Sequence, residues 1–208
     1  MPDFFLENQY QGHIAGVDEA GRGPIAGPVV AAATVFLSQN ISEIEFIDQL
    51  NDSKKISKNK REVLCQKILD HPKIISAYQI ISNQRIDEIN ILNATREAMQ
   101  GSILKIASQI DIELVLVDGS LSMLAGKFKE QPIVKGDLKS NSIAAASIIA
   151  KVKRDEIMTC LAEEFPQYNW HKNAGYPTKE HLELINKLGV TQHHRQSFAP
   201  IRKILKVA

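Results

Sequence analysis

Apolar residues along this chain change their spacing as it proceeds. Residues 13–18 and 28–37 are runs rich in valine, isoleucine and alanine, and they predict two strands. The Gly/Pro-rich stretch between them predicts a hairpin. "KIISAYQIIS" (73–82) is a third strand, rich in β-branched residues, and "SKNKREVLCQKILD" before it reads as a helix with Ser57 as its N-cap. Residues 93–109 space Ala98, Ile103 and Ile106 for a helix. They feed "ELVLVDG" (113–119), whose near-continuous apolar run suits a strand buried on both faces in a parallel pairing. "PIVKG" (132–136) is a short fifth strand. A long alanine-rich helix over 141–163 comes next, then a helix over 178–189 with Thr178 as cap and Gly189 as stop. Grouped strands followed by alternating strands and helices predict an α/β fold: a mixed sheet flanked by helices, with a helical C-terminal part from about residue 165.

Composition narrows the classes. The 208 residues suit one domain, and 44% hydrophobic residues are enough for a sizeable core. Twenty-five basic against 24 acidic residues exclude a highly basic nucleic-acid coat but leave room for a local basic groove. The N-terminal "MPDFFLENQY" lacks the pattern of a signal peptide. No apolar run approaches the roughly 18 residues that cross a bilayer. Cys65 and Cys160 form no CxxC pair and are expected to be buried free thiols in a reducing cytoplasm.

The candidate chemistry begins in "GVDEAGRGPIAGP" (16–28), where Asp18 and Glu19 end an apolar strand. Consecutive strand residues point to opposite faces, so these two converge only if the strand stops at Asp18 and Glu19 belongs to the turn. Asp118 closes "LVLVDG" in the same way, at the carboxyl end of a strand where open α/β sheets place ligands. On the long helix, Ser147, Lys151 and Asp155 fall on one polar stripe, with Ile148, Ile149 and Val152 on the apolar side. Asp137 in "KGDLKS" is the competing fourth acid, and the stripe favours Asp155. Clustered carboxylates without Cys/His spacing suit Mg²⁺ or Mn²⁺, and two such ions serve phosphodiester hydrolysis. Taken singly, each acid also reads as a turn cap or a helix ion pair.

Gly21 and Gly23 would admit a sugar-phosphate close to the backbone, with Arg22 between them as a forked phosphate donor; a plain hairpin turn is the other reading. The stretch matches neither nucleotide-binding glycine pattern. Lysines recur in "NDSKKISKNKR", "GKFKEQPIVKGDLK" and "AKVKR". Any one cluster is an ordinary solvated face, but together they suggest a phosphate-binding groove, with Lys55, Ser147 and Lys151 as substrate-binding candidates. Tyr176, between a glycine and a proline, is placed either to stack on a sugar or base or to pack on the surface. "HHRQSF" reads as loop, and "IRKILKVA" as a packed amphipathic turn or a docking tail.

Six stretches, "GVDEAGRGPIAGPVVAAA", "DSKKIS", "VDG", "SIAAASIIAKVKRD", "GYPTKEH" and "HRQSFAP", stand in the order found in bacterial ribonuclease HII, and the chain resembles that family from about Gly12 to Pro200. The resemblance implies a ribonuclease H-like fold with a five-stranded mixed sheet. It implies a metal-dependent endonuclease, using Mn²⁺ or Mg²⁺, that acts on RNA–DNA hybrids and on DNA duplexes containing single ribonucleotides. Cleavage 5′ of the ribonucleotide would leave 3′-hydroxyl and 5′-phosphate ends. Matched to the family's motifs, Asp18, Glu19, Asp118 and Asp155 are the acids, Gly21-Arg22-Gly23 senses the ribose 2′-hydroxyl, and Tyr176 packs on the neighbouring deoxyribose. A cytoplasmic monomer is expected. A DNA nuclease of similar fold and a silent hybrid-binding module are the alternatives, the first disfavoured by the glycine loop and Tyr176, the second by the full set of acids.

Overall fold

A computed structural model describes residues 1–38, 43–51, 53 and 56–206. Among them, strands β1 (Ile14–Ala20), β2 (Val29–Phe36), β3 (Ile74–Ile81), β4 (Leu114–Asp118) and β5 (Glu130–Ile133) form one sheet in the order β3-β2-β1-β4-β5. The β3-β2-β1 half is antiparallel, and β1-β4-β5 is parallel. Helices α1 (Lys58–Asp70), α2 (Asn83–Ala107) and α3 (Asn141–Glu164) cover the sheet; α4 (Trp170–Asn173), α5 (Lys179–Leu188) and α6 (Ala199–Leu205) build the C-terminal part. The expected α/β architecture with a five-stranded mixed sheet is present. No described helix is long and apolar enough to cross a membrane.

The strand period of two sorts the sheet's side chains into two cores. Ala32 joins Leu64, Ile68 and the alanines of α3 on one face. Val17, Ala31, Ala33 and Val117 join Ala98, Met99, Ile103 and Ile106 of α2 on the other. A third cluster, including Ile25, Met158, Tyr168, Trp170, Ile185 and Ile201, holds the C-terminal helices against the end of α3. Helix α3 packs directly on β1: a side chain at Gly16 would run into the backbone of Ser142 and Ile143. That contact sets the height of the strand end that carries Asp18.

Four expectations change. The helix anticipated over 93–109 is the second part of α2, which begins at Asn83 with the Ser82 hydroxyl accepting the Arg85 N–H. It breaks at Asn90 (φ 65°), whose side chain accepts the Asn93 N–H and so caps the second part of the helix. The fifth strand is Glu130–Ile133 rather than 132–136, because Lys135 turns left-handed (φ 56°) and Gly136–Leu138 form a single tight turn. Ser57 occupies the N-cap of α1 without a side-chain capping bond, whereas Thr178 does cap α5. Cys65 is buried, its thiol pushed up to about 11 chiefly by burial, but Cys160 is exposed on the far turns of α3, beyond the sheet; both are free. The "IRKIL" turn packs inward through Ile201 and Ile204, and residues 207–208 lie outside the described set.

Candidate active site

Strand β1 outruns its parallel neighbour. Its last pair with β4 is Val17 with Val117, so Asp18 and Glu19 stand beyond the end of β4. The strand continues through Glu19 to Ala20, and the turn expected to begin at Glu19 is absent. Register puts Asp18 beside Ala32, on the face of α3, and Glu19 beside Ala31, on the face of α2. The two acids reach one cleft because they straddle the sheet's end. Asp18, Glu19, Asp118 and Asp137 all line this cleft of about 410 Å³.

Asp137 enters through the turn after β5. The Gly136 N–H donates to Asp118 Oδ1 at 2.7 Å, tying that turn to the end of β4. A side chain at Gly136 would meet Ile143 Cδ1 at 2.5 Å, so only glycine lets the turn sit so low against α3. The Asp18 carboxyl, 8% exposed, is held well above the usual range by burial, then by the charges of Glu19, Asp118 and Asp137. Only the Glu19 N–H, donating to Asp18 Oδ1 at 2.7 Å, opposes that push.

Asp155 is elsewhere. Its carboxylate accepts from Lys151 and pairs with Arg61 at 3.5 Å, and it does not line the cleft. The stripe on α3 does turn Ser147 and Lys151 toward the cleft, but Asp155, one turn further on, faces α1 instead. Arg61 in turn donates to the carbonyls of Ser53 and Ile56, and the Ser53 hydroxyl meets that of Ser147 at 2.8 Å. Asp155 is thus bonded into the wall that supports the segment before α1. Lys55 lies outside the described residues.

Across the cleft from the acids stand Gly21, Arg22, Gly23 and Tyr176. Gly21 is left-handed (φ 101°), and a side chain there would strike Arg154 and come within 2.7 Å of the Pro28 carbonyl. At Gly23 an added methyl would sit 3.3 Å from the Tyr176 ring, so glycine keeps the ring and the loop in register. The Arg22 guanidinium reaches Glu19 at 3.4 Å. Tyr176 is 45% exposed and anchored through its backbone: its N–H donates to the Asn173 carbonyl, and its carbonyl accepts from the Thr178 N–H and the His181 ring.

Sequence reasoning missed the support beneath this loop. Arg154 and Arg195, 1% and 0% exposed, have no carboxylate within salt-bridge distance among the described residues. Between them they donate to the carbonyls of Gly21, Arg22, Ala26, Gly27, Pro28 and Ala174. A signal for Arg154 was there: Ala150, Met158 and Ala162 are buried at four-residue steps, and Arg154 lies in that apolar register. His194, in the stretch read as loop, is fully buried beside His181; burial and the His181 ring push it down to about 4.

No three His, Cys, Asp or Glu side chains among the described residues stand together as a ready-made metal site. The donor set nevertheless suits a hard divalent cation: all-oxygen, anionic, open to the cleft, and mutually repulsive around a buried Asp18.

A mixed five-stranded sheet with acids gathered at its end and a glycine loop opposite defines a hydrolase of the ribonuclease H class. The profile of the family "Ribonuclease HII" matches residues 15–201. A ribonuclease HII of the Wolbachia endosymbiont of Brugia malayi is 48% identical over 207 residues, covering 100% of this chain and 98% of the relative. The chain belongs to the ribonuclease HII family. Ribonuclease H2 of Pyrococcus horikoshii has a similar structure, with TM-score 0.77 and 27% identity over 93% of this chain and 97% of that one. Bst ribonuclease HIII, crystallised with Mn²⁺, shares the fold at TM-score 0.72 and 19% identity, over 100% of this chain and 74% of that one.

Proposed function

We propose that this chain cleaves the RNA strand of RNA–DNA hybrids and cuts DNA duplexes on the 5′ side of single embedded ribonucleotides, leaving 3′-hydroxyl and 5′-phosphate ends. The observation that carries this reading is one cleft with a repelling set of carboxylates on one wall and a glycine loop backed by Tyr176 on the other. Asp18, Glu19, Asp118 and Asp137 would hold Mg²⁺ or Mn²⁺, with Asp137 replacing Asp155 as the fourth acid. The ions supply an activated water and neutralise charge on the leaving oxygen. The Mn²⁺ bound by Bst ribonuclease HIII is consistent with this choice of metal.

The chain's own residues orient the strand. Backbone N–H groups of the Gly21–Gly23 loop meet the ribose 2′-hydroxyl, which is the one group that distinguishes RNA from DNA there. The Tyr176 ring, exposed and fixed against Gly23, offers a flat face to the next sugar, where a second 2′-hydroxyl would crowd it. Lys151 lines the cleft and, together with Ser147 and Arg22, contacts the backbone phosphates. Glu19 and Asp118, at the ends of adjacent strands, fix the scissile phosphate's position relative to the loop.

The test is a labelled duplex with one ribonucleotide, incubated with Mg²⁺, Mn²⁺ or chelator beside an all-DNA control. A single metal-dependent cut 5′ of the ribonucleotide, absent from the control, is expected. Equal cutting of both duplexes would instead make the chain a DNA nuclease, and binding without cutting in either metal would make it a hybrid-binding module.

A further inference from the structure

We infer that Arg195 is a positioning residue for ribose recognition: its buried guanidinium draws loop carbonyls inward and thereby aims the N–H groups of Arg22 and Gly23 into the cleft. This rests on the reading of the glycine loop given above. The geometry comes from the peptide plane. In a trans peptide the C=O of one residue and the N–H of the next point in opposite directions. Arg195 Nη2 donates to the Gly21 carbonyl at 2.7 Å and Nη1 to the Arg22 carbonyl at 3.2 Å. The N–H groups on the far side of those two planes belong to Arg22 and Gly23. Neither has a hydrogen-bond partner among the described residues, although the neighbouring Ile25 and Gly27 N–H groups are bonded to the Gly175 and His193 carbonyls.

The other donors of the same guanidinium fix its angle. Nε bonds the Gly27 carbonyl at 2.9 Å and Nη2 also reaches the Pro28 carbonyl at 3.0 Å, so one planar fork spans both ends of the loop. Its plane is held from outside by the Phe198 ring, 5.1 Å away. Such a fork needs arginine, because an ammonium has no plane with which to fix four oxygens at once. A guanidinium buried without a carboxylate is unfavourable: burial and then Arg154 push Arg195 down to about 9, which leaves it charged at neutral pH. The charge has a second effect. Set against the carbonyl oxygens, it polarises both peptides and makes their outward N–H groups stronger donors.

Arg154 does the complementary task for Tyr176. It bonds the carbonyls of Ala26, Pro28 and Ala174, so the turn that carries the tyrosine and the glycine loop hang on one side chain.

The experiment measures binding rather than cutting. In an Asp118→Asn background with Mg²⁺, where the duplex stays intact, fluorescence anisotropy gives the affinity for a duplex with one ribonucleotide and for the all-DNA duplex. Arg195→Ala and Arg195→Lys are compared with that parent, and far-UV circular dichroism checks the fold of each. The parent should prefer the ribonucleotide duplex, and both variants should lose at least about fivefold of that preference while all-DNA affinity stays within about twofold, as expected for the loss of one aligned hydrogen bond. A purely structural arginine would lower both affinities together and leave their ratio intact, which overturns the proposal. So does a result in which neither variant folds, since Arg195 would then determine the fold and not the loop. A parent without any preference would instead sink the 2′-hydroxyl reading itself.

Discussion

The two walls of the cleft handle uncompensated charge in opposite ways. On the acid wall, Asp18 is buried yet surrounded by Glu19, Asp118 and Asp137, and the excess negative charge faces the opening. On the loop wall, the excess charge is positive and sealed away: Arg154 and Arg195 are buried, and backbone oxygens satisfy them. The first arrangement is balanced only by a cation. The second is already complete and spends its charge on holding a backbone in one shape. Charge that faces a cleft recruits a ligand, whereas charge walled off by carbonyls shapes the surface the ligand meets.

Removing acids from the first wall tests the contrast most severely. Asp118→Asn and Asp137→Asn should each lower kcat at least about a thousandfold, since losing an ion's charge stabilisation costs several kcal/mol. Asp155→Asn should stay within about tenfold, as befits a residue that supports a wall from behind. Steady-state cleavage of the single-ribonucleotide duplex decides it. An Asp155→Asn enzyme as dead as Asp118→Asn, beside an active Asp137→Asn, would restore the reading made from the helix stripe.

The loop wall should respond to shape before charge. Gly23→Val would push the Tyr176 ring from its seat and lower kcat/KM for the single-ribonucleotide duplex by about 10- to 100-fold, the size of effect expected for misplacing a positioning group. Melting temperature should barely move, because the ring is exposed and free to swing aside. If kcat/KM were unchanged, the close contact between loop and tyrosine would have no part in recognition.

The layer beneath the loop should sense pH. His194 titrates near 4 in the folded chain against 6.5 unfolded, so its lowered value favours the folded state above pH 6.5. As pH falls from 6.5 toward 4, the unfolded chain takes up a proton that the folded chain refuses, and stability drops by up to about 1.4 kcal/mol per pH unit. Urea unfolding at several pH values should show this slope, and His194→Gln should flatten it.

The acid wall gives the smallest effect. Because Asp18's carboxyl is raised by burial and by like charges, its ionised form opposes folding at neutral pH when no cation is bound. In chelator, Asp18→Asn should therefore raise the melting temperature, and saturating Mg²⁺ should stabilise the parent more than the variant. A variant that melts lower in chelator would show that repulsion is not what governs this wall.

The order of elements and three of the lining acids were legible from the sequence for a simple reason. Asp18, Glu19 and Asp118 interrupt apolar strands, and a charge at the end of a buried strand is visible in the residue pattern itself. Asp137 was not favoured because nothing periodic marks it. Its place depends on the left-handed Lys135 and on the bond from Gly136 to Asp118, both of which arise only on folding. The stripe through Ser147 and Lys151 was right for two positions and overran at the third, where α1 supplies Arg61. Arg195 had no signal at all: in sequence it is a basic residue in a loop, and only folding brings four distant carbonyls around it.

The chain has one tryptophan, Trp170, and it lies in the layer that carries Tyr176. It is 1% exposed, stacked on Tyr168, and its indole N–H donates to His181 Nε2 at 3.0 Å. The opposite nitrogen of that imidazole bonds the Tyr176 carbonyl at 2.8 Å. The enzyme thus contains its own optical reporter, two hydrogen bonds from the residue that meets the sugar. Its emission tracks the C-terminal layer alone, while far-UV ellipticity is dominated by the sheet and long helices, so a melt watched by both signals tells whether the recognition layer loosens before the fold gives way.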